Sequence, residues 1–185
     1  MSYQIPKRRK EMDMNEEIIK KIEEIIGYHA KSWRLLEQAF IRAGYAYENE
    51  GILDYKLLEH VGDKWLEIVV HLEIMEHLTS RDDPGRLYSD YTKGDMSILE
   101  DRIVNNDYLS ERMRLLGLSD YLIMSKGERN QDCLNNASTH YELFEAIVGA
   151  VAVDCNYDIP TISDVVLRMM GFNSWTDLLN DRRIK

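Results

Sequence analysis

The sequence predicts an all-α protein, a helical bundle formed by one domain. Apolar residues recur at three- and four-residue spacing along nearly the whole chain, and strand-like alternation is almost absent. Polar caps and terminal glycines punctuate several of those periodic stretches. The composition, 44% hydrophobic and 30% charged over 185 residues with three Pro and ten Gly, is that of a single globular domain. A chain of this length buries roughly 70% of its unfolded surface, so it needs neither disulfides nor a structural metal to fold.

Asn15 caps a first helix with Glu16 and Glu17 in its opening turn. Ile18, Ile19, Ile22, Ile25 and Ile26 form its apolar stripe, and Gly27 ends it. Ser32 starts a second helix through Leu35, Leu36, Ala39 and Phe40, followed by a loop around Asn49-Glu50-Gly51. The longest periodic segment, about 54–78, sets Leu58, Val61, Trp65, Val69 and Leu72 on one face, which predicts a central helix with that face in the core. Residues 79–92 hold Pro84-Gly85 among other turn formers and read as a loop. Helices resume at about 93–105 and 107–116, the latter closed by Gly117, and 125–136 is a second long polar loop. The next helix, about 139–154, is so rich in Ala, Gly and Val that a neighbouring backbone can approach it closely. Helices near 160–170 and 174–179 complete the domain, expected over 15–180 between basic tails at 1–14 and 181–185.

The net charge is −10, from 23 basic and 33 acidic residues, which by itself argues against a nucleic-acid partner. Its distribution is uneven. Lys7, Arg8, Arg9, Lys10, Arg182, Arg183 and Lys185 account for seven of the basic residues, so positions 11–181 carry 16 against 33, a charge of −17. The tails read as RNA-contacting or as solubilising ends. Cys133 and Cys155 stand in no metal-ligand spacing and read as reduced thiols of an intracellular, cytoplasmic protein. No apolar stretch approaches the 18 residues of a membrane span, and the charged N-terminus is not followed by a signal-peptide core. His71 and His77, six apart, do not share a helix face and read as solvated histidines rather than zinc ligands.

Two pairs of carboxylates look out of place. Glu59 and Asp63 are four apart on the central helix, hence on one face at about 100° per residue, and Leu66 and Val70 continue that face. Glu67 adds another acid, and only Lys56 offers relief from within the helix. Glu142 and Glu145 share a face of the late helix with Gly149 and Val153, again without a cation on the same helix. Carboxylates on packing faces need partners. If the two helices meet, four carboxylates converge, and a hard cation with oxygen ligands, Mg²⁺ or Mn²⁺, would relieve the repulsion. For any single pair the plain reading is a solvated helix face, and spacing alone stops at a candidate metal site.

The segments around those acids resemble the ribonuclease III family. KLLEHVGDKWLE at 56–67 is similar to the family signature on the central helix of an all-α endonuclease domain. In family order, LLEQAF at 35–40, GDMSILEDRIVNN at 94–106, LGLSDYLIMSKGE at 116–128 and ELFEAIVGAVAVD at 142–154 resemble further family segments, so the likeness covers roughly residues 16 to 170. The resemblance implies hydrolysis of phosphodiester bonds in double-stranded or structured RNA, leaving 5′-phosphate and 3′-hydroxyl ends. It implies Mg²⁺, with Mn²⁺ as substitute, on Glu59, Asp63, Glu142 and Glu145, and it implies a homodimer that cuts both strands. Asp63 and Glu145 match direct ligands; Glu59 and Glu142 match ligands or residues that orient metal-bound water. Asp95 and Asn105 match polar positions near the cleavage site, and Lys126, in the Lys126-Gly127-Glu128 turn, is a candidate phosphate contact or a plain surface turn.

The chain also departs from the family pattern. Glu142 stands where Asp is usual, one methylene longer, which bears on activity. His60 replaces a dimer-packing aromatic residue, Tyr55 and Lys56 replace a polar-acidic pair, and Ile41-Arg42-Ala43-Gly44 replaces His-Arg-Ser. Residues 79–92 look like an insertion. The sequence ends soon after the last helix with no double-stranded-RNA-binding domain, so a partner protein is expected to help hold RNA. The rival expectation is a ribonuclease III-like module with weakened catalysis that binds RNA or serves assembly.

Overall fold

The computed structural model describes residues 14–131 and 133–184, and within them helix α8, Ala137–Asp154, is the axis of the bundle. Every residue from Leu143 to Ala152 is buried. A helix apolar on all sides must be covered on all sides, and its Ala, Gly and Val side chains let the covering helices come close. The most extensive packing is against α4, Lys56–Leu78; α2, Trp33–Ala39, and α6, Asn106–Leu116, flank it. Helices α1 (Glu16–Ile26), α5 (Lys93–Ile103), α9 (Ile159–Met170) and α10 (Trp175–Asn180) close the outer layer. The all-α prediction holds.

Local chemistry places the helix ends. Asn15 accepts a hydrogen bond from the Ile18 amide, and Gly27 leaves α1 at φ 73°, a left-handed conformation suited to glycine. Thr92 and Asp95 form a reciprocal capping box at the start of α5. Asp154, at the far end of α8, accepts from the Tyr28 hydroxyl and from the Lys31 and Ser32 amides, tying α8 to the turn between α1 and α2.

Several expectations change. Two short helices were not foreseen: α7 (Lys126–Asn130) forms where the sequence read as loop, and α3 (Ala43–Glu48) lies in a stretch to which no element was given. Residues 79–92 carry a small hairpin, with strand β1 (Ser80–Arg81) antiparallel to β2 (Leu87–Tyr88). The core stripe of α4 is Leu58, Gly62, Leu66, Val69, Val70 and Ile74, turned by roughly a quarter of the helix circumference from the predicted one. Leu72 is therefore 40% exposed, while Val61 and Trp65 are only partly buried. The predicted C-terminal tail is docked where it is described: Ile184 is 1% exposed and its carbonyl accepts from Arg102. At the other end Met14 is buried, whereas residues 1–13, with the basic cluster Lys7–Lys10, and Lys185 lie outside the described residues. Among the described residues no helix is long and apolar enough to cross a membrane, and Cys133 and Cys155 are unpaired thiols.

Candidate active site

Helices α4 and α8 touch backbone to backbone. A Cβ on Gly62 would stand 1.8 Å from the Glu145 carbonyl oxygen, and one on Gly149 would stand 1.9 Å from that of Leu58. Only glycine fits at either position. Glu59 and Asp63 flank Gly62 on α4, and Glu142 and Glu145 occupy the turns of α8 before Gly149, so the crossing carries the two pairs into each other's field. Glu145 is 8% exposed. Burial pushes its carboxyl up to about 8, and the charges of Asp63, Glu59, Glu142 and Glu67 push the same way. Burial and then Glu142 also raise Glu59, against the pull of Lys56 and Arg42.

Glu142 has partners that come from far away in the sequence. Arg42 Nη1 and the Tyr55 hydroxyl both donate to its Oε2, each over 2.7 Å. The Arg42 guanidinium lies over the Tyr55 ring, 4.6 Å from its centre, and its Nε is 3.7 Å from Glu128 Oε1. The other Glu128 oxygen accepts from the Ser125 amide and hydroxyl, closing the cap of α7, and the Gly44 amide donates to Oε1. Arg42 and Tyr55 were not singled out as site residues by sequence reasoning, which looked for cations on the same helices. The available signal was the altered segment Ile41-Arg42-Ala43-Gly44, whose Arg42 faces an acid 100 positions on.

The remaining sequence candidates make no hydrogen bond or ion pair to the four carboxylates among the described residues. Asp95 caps α5, and Asn105 caps α6 by accepting from the Asp107 and Tyr108 amides. Asp95 does not figure among the charges acting on Glu59 or Glu145. Lys126 is exposed at the start of α7. A cleft of about 630 Å³ between the segment carrying the β-hairpin, α5 and α10 is lined by residues such as His77, Tyr91, Asp95 and Thr176 and by none of the four carboxylates.

Among the described residues, no three acidic, His or Cys side chains already stand as ligands of one ion. The chemistry of the four carboxylates nevertheless fits a hard divalent cation. Their donors are all oxygen. Asp63 pairs with Lys64 over 3.1 Å, a cation on the same helix besides the expected Lys56, and Glu142 pairs with Arg42, whereas burial and like charge raise Glu59 and Glu145, which no ion pair or hydrogen bond within the described residues relieves. Such an ion would be held by Asp63 and Glu145, with Glu59 and Glu142 beside it.

A family model described as ribonuclease-III-like matches residues 32–168, a span containing both carboxylate pairs, Arg42 and Tyr55. The chain belongs to the ribonuclease III-like family. This ribonuclease III-like chain is 35% identical over 171 residues to Ribonuclease 3 of Roseburia hominis, covering 85% of itself and 48% of that protein. It is 31% identical over 161 residues to Ribonuclease 3 of Treponema succinifaciens, covering 87% of itself and 43% of that protein. It thus spans about half the length of these relatives. Its fold matches the nuclease domain of ribonuclease III from Campylobacter jejuni, with a TM-score of 0.69 at 24% identity over 82% of this chain and 95% of that one. The Campylobacter structure concerns flexibility in a region involved in dimer formation.

Proposed function

We propose that this chain is a metal-dependent endoribonuclease that hydrolyses phosphodiester bonds in double-stranded or structured RNA and leaves 5′-phosphate and 3′-hydroxyl ends. The observation that carries the reading is the Gly62–Gly149 crossing, which sets two carboxylate pairs against each other and leaves Glu145 buried among like charges. The family and its relatives named Ribonuclease 3 support the RNA substrate.

A divalent cation, Mg²⁺ or Mn²⁺, when bound supplies an activated water and stabilises charge on the leaving 3′ oxygen. Asp63 and Glu145 would hold such an ion from the two helices, and Glu59 and Glu142 would complete its shell or orient its waters. Glu145 would serve such an ion as the carboxylate and not as the acid, so binding there would be linked to loss of its proton. An acidic surface binds a polyanion poorly without such an ion. We further assign a homodimer with one site per subunit. Its supporting feature is the stripe Leu57, Val61, Ile68 and Leu72 on α4, three of whose members are exposed large apolar residues. A partner protein that supplies additional RNA contacts, and action in the cytoplasm, belong to the same reading.

One observation favours the rival, a module with weakened catalysis: Arg42 already neutralises Glu142. Incubating the protein with a long RNA duplex and Mg²⁺, with Glu145→Gln alongside, separates the two. The enzyme reading expects short duplexes with 5′-phosphates from the wild type and intact RNA from the variant. Intact RNA from the wild type in both Mg²⁺ and Mn²⁺ favours the module.

A further inference from the structure

Glu142 is the carboxylate whose side chain is longer than the family pattern, and it is also the one whose end is held. Both donors converge on Oε2, and no hydrogen bond within the described residues reaches Oε1. The holders are themselves fixed. Tyr55 is 4% exposed, its amide donates to the Ile41 carbonyl, and its ring lies under the Arg42 guanidinium. Arg42 N-caps α3, donates its amide to the Ile123 carbonyl, and lies between Glu142 and Glu128. A free glutamate samples three side-chain torsions; one gripped at a single oxygen presents its other oxygen from a defined place.

We infer that Tyr55 and Arg42 are positioning residues that hold Glu142 by Oε2 and so present Oε1 to the carboxylate cluster. The assignment rests on the reading that this cluster holds a divalent cation. Simple charge neutralisation does not account for the arrangement, because the Tyr55 hydroxyl is neutral and takes an equal share of Oε2.

The two roles predict opposite signs, which the folded full chain can report without RNA. Mn²⁺ is titrated and free ion is followed by electron paramagnetic resonance in wild type, Tyr55→Phe, Arg42→Gln, Glu142→Gln and the Tyr55→Phe/Glu142→Gln double variant. Circular dichroism checks that each is folded. Positioning predicts that Tyr55→Phe and Arg42→Gln each weaken Mn²⁺ binding by about 10-fold, the low end of the range for residues that orient a ligand. It also predicts that Tyr55→Phe adds nothing once Glu142 is Gln, and that kcat falls in Tyr55→Phe with the KM for duplex RNA unchanged. Tighter Mn²⁺ binding in Arg42→Gln, unchanged binding in Tyr55→Phe, or an equal Tyr55→Phe effect in the Glu142→Gln background overturns the assignment while leaving the nuclease reading intact. If Tyr55→Phe does not fold, Arg42→Gln decides by its sign. A wild type that neither binds Mn²⁺ nor cuts RNA overturns both.

Discussion

Glu145 is 8% exposed and shares its surroundings with Asp63, Glu59 and Glu142, so in the folded protein it keeps its proton up to about pH 8. In the unfolded chain it ionises near the ordinary value of 4.5. Across that window the folded state carries a proton that the unfolded state does not, and stability therefore falls as pH rises. In the presence of a chelator, the urea midpoint of the wild type is expected to drop between about pH 5 and pH 8 more than that of Glu145→Gln, which mimics the protonated acid. Parallel pH profiles for the two proteins would contradict the burial of this group. Mg²⁺ added at pH 8 is expected to stabilise the wild type more than the variant, because a carboxylate binds a hard cation more strongly than a neutral amide oxygen. The four acids were legible from their spacing, since carboxylates on faces that continue into Leu66, Val70 and Gly149 announce partners. Arg42 and Tyr55 were not legible that way, because helix periodicity reports neighbours three or four residues away, whereas these contacts join positions about 90 to 100 apart.

At the scale of elements, the α4–α8 crossing positions everything else. Gly62→Ala places a methyl carbon within 1.8 Å of a carbonyl oxygen on a helix that cannot retreat. Overpacking of this kind costs about 1–3 kcal/mol and occasionally more, against at most about 1 kcal/mol gained from helix propensity. A net loss of about 2 kcal/mol in denaturant unfolding is expected, together with loss of RNA cleavage. Gly94→Ala is the control: a Cβ there meets only Thr92 Oγ1 at 3.6 Å, so its stability should change little or rise. The same crossing explains the misplaced core stripe of α4. Gly62 adds nothing to an apolar pattern, so a reading by hydrophobicity centres on Val61 and Trp65, whereas the closest packing in the bundle runs through the residue with no side chain. Helices α3 and α7 were missed for another reason. Six and five residues long, they are too short to display a period, and tertiary bonds such as Arg42 amide to Ile123 carbonyl hold them in place.

For the molecule as a whole, the body charge of −17 and the apolar stripe on α4 set what it can bind. The acidic body predicts weak RNA affinity that is lost steeply with salt. Cleavage at fixed Mg²⁺ should fall between about 50 and 200 mM monovalent salt; a flat profile would contradict binding through contacts to the phosphate backbone. Leu57, Ile68 and Leu72 stay exposed because α8 takes the opposite side of α4. Ile68→Glu is expected to shift sedimentation from dimer to monomer with the helical circular dichroism retained, and an unchanged dimer would place the interface elsewhere. In the proposed enzyme Glu59, Asp63, Glu142 and Glu145 share one ion site. A crystal soaked in Mn²⁺ tests it most directly through anomalous density. The expected result is an ion at the α4–α8 crossing with oxygens of Asp63 and Glu145 at about 2.0–2.6 Å. Mn²⁺ bound elsewhere, or no peak between these helices in protein that cuts duplex RNA, would contradict it.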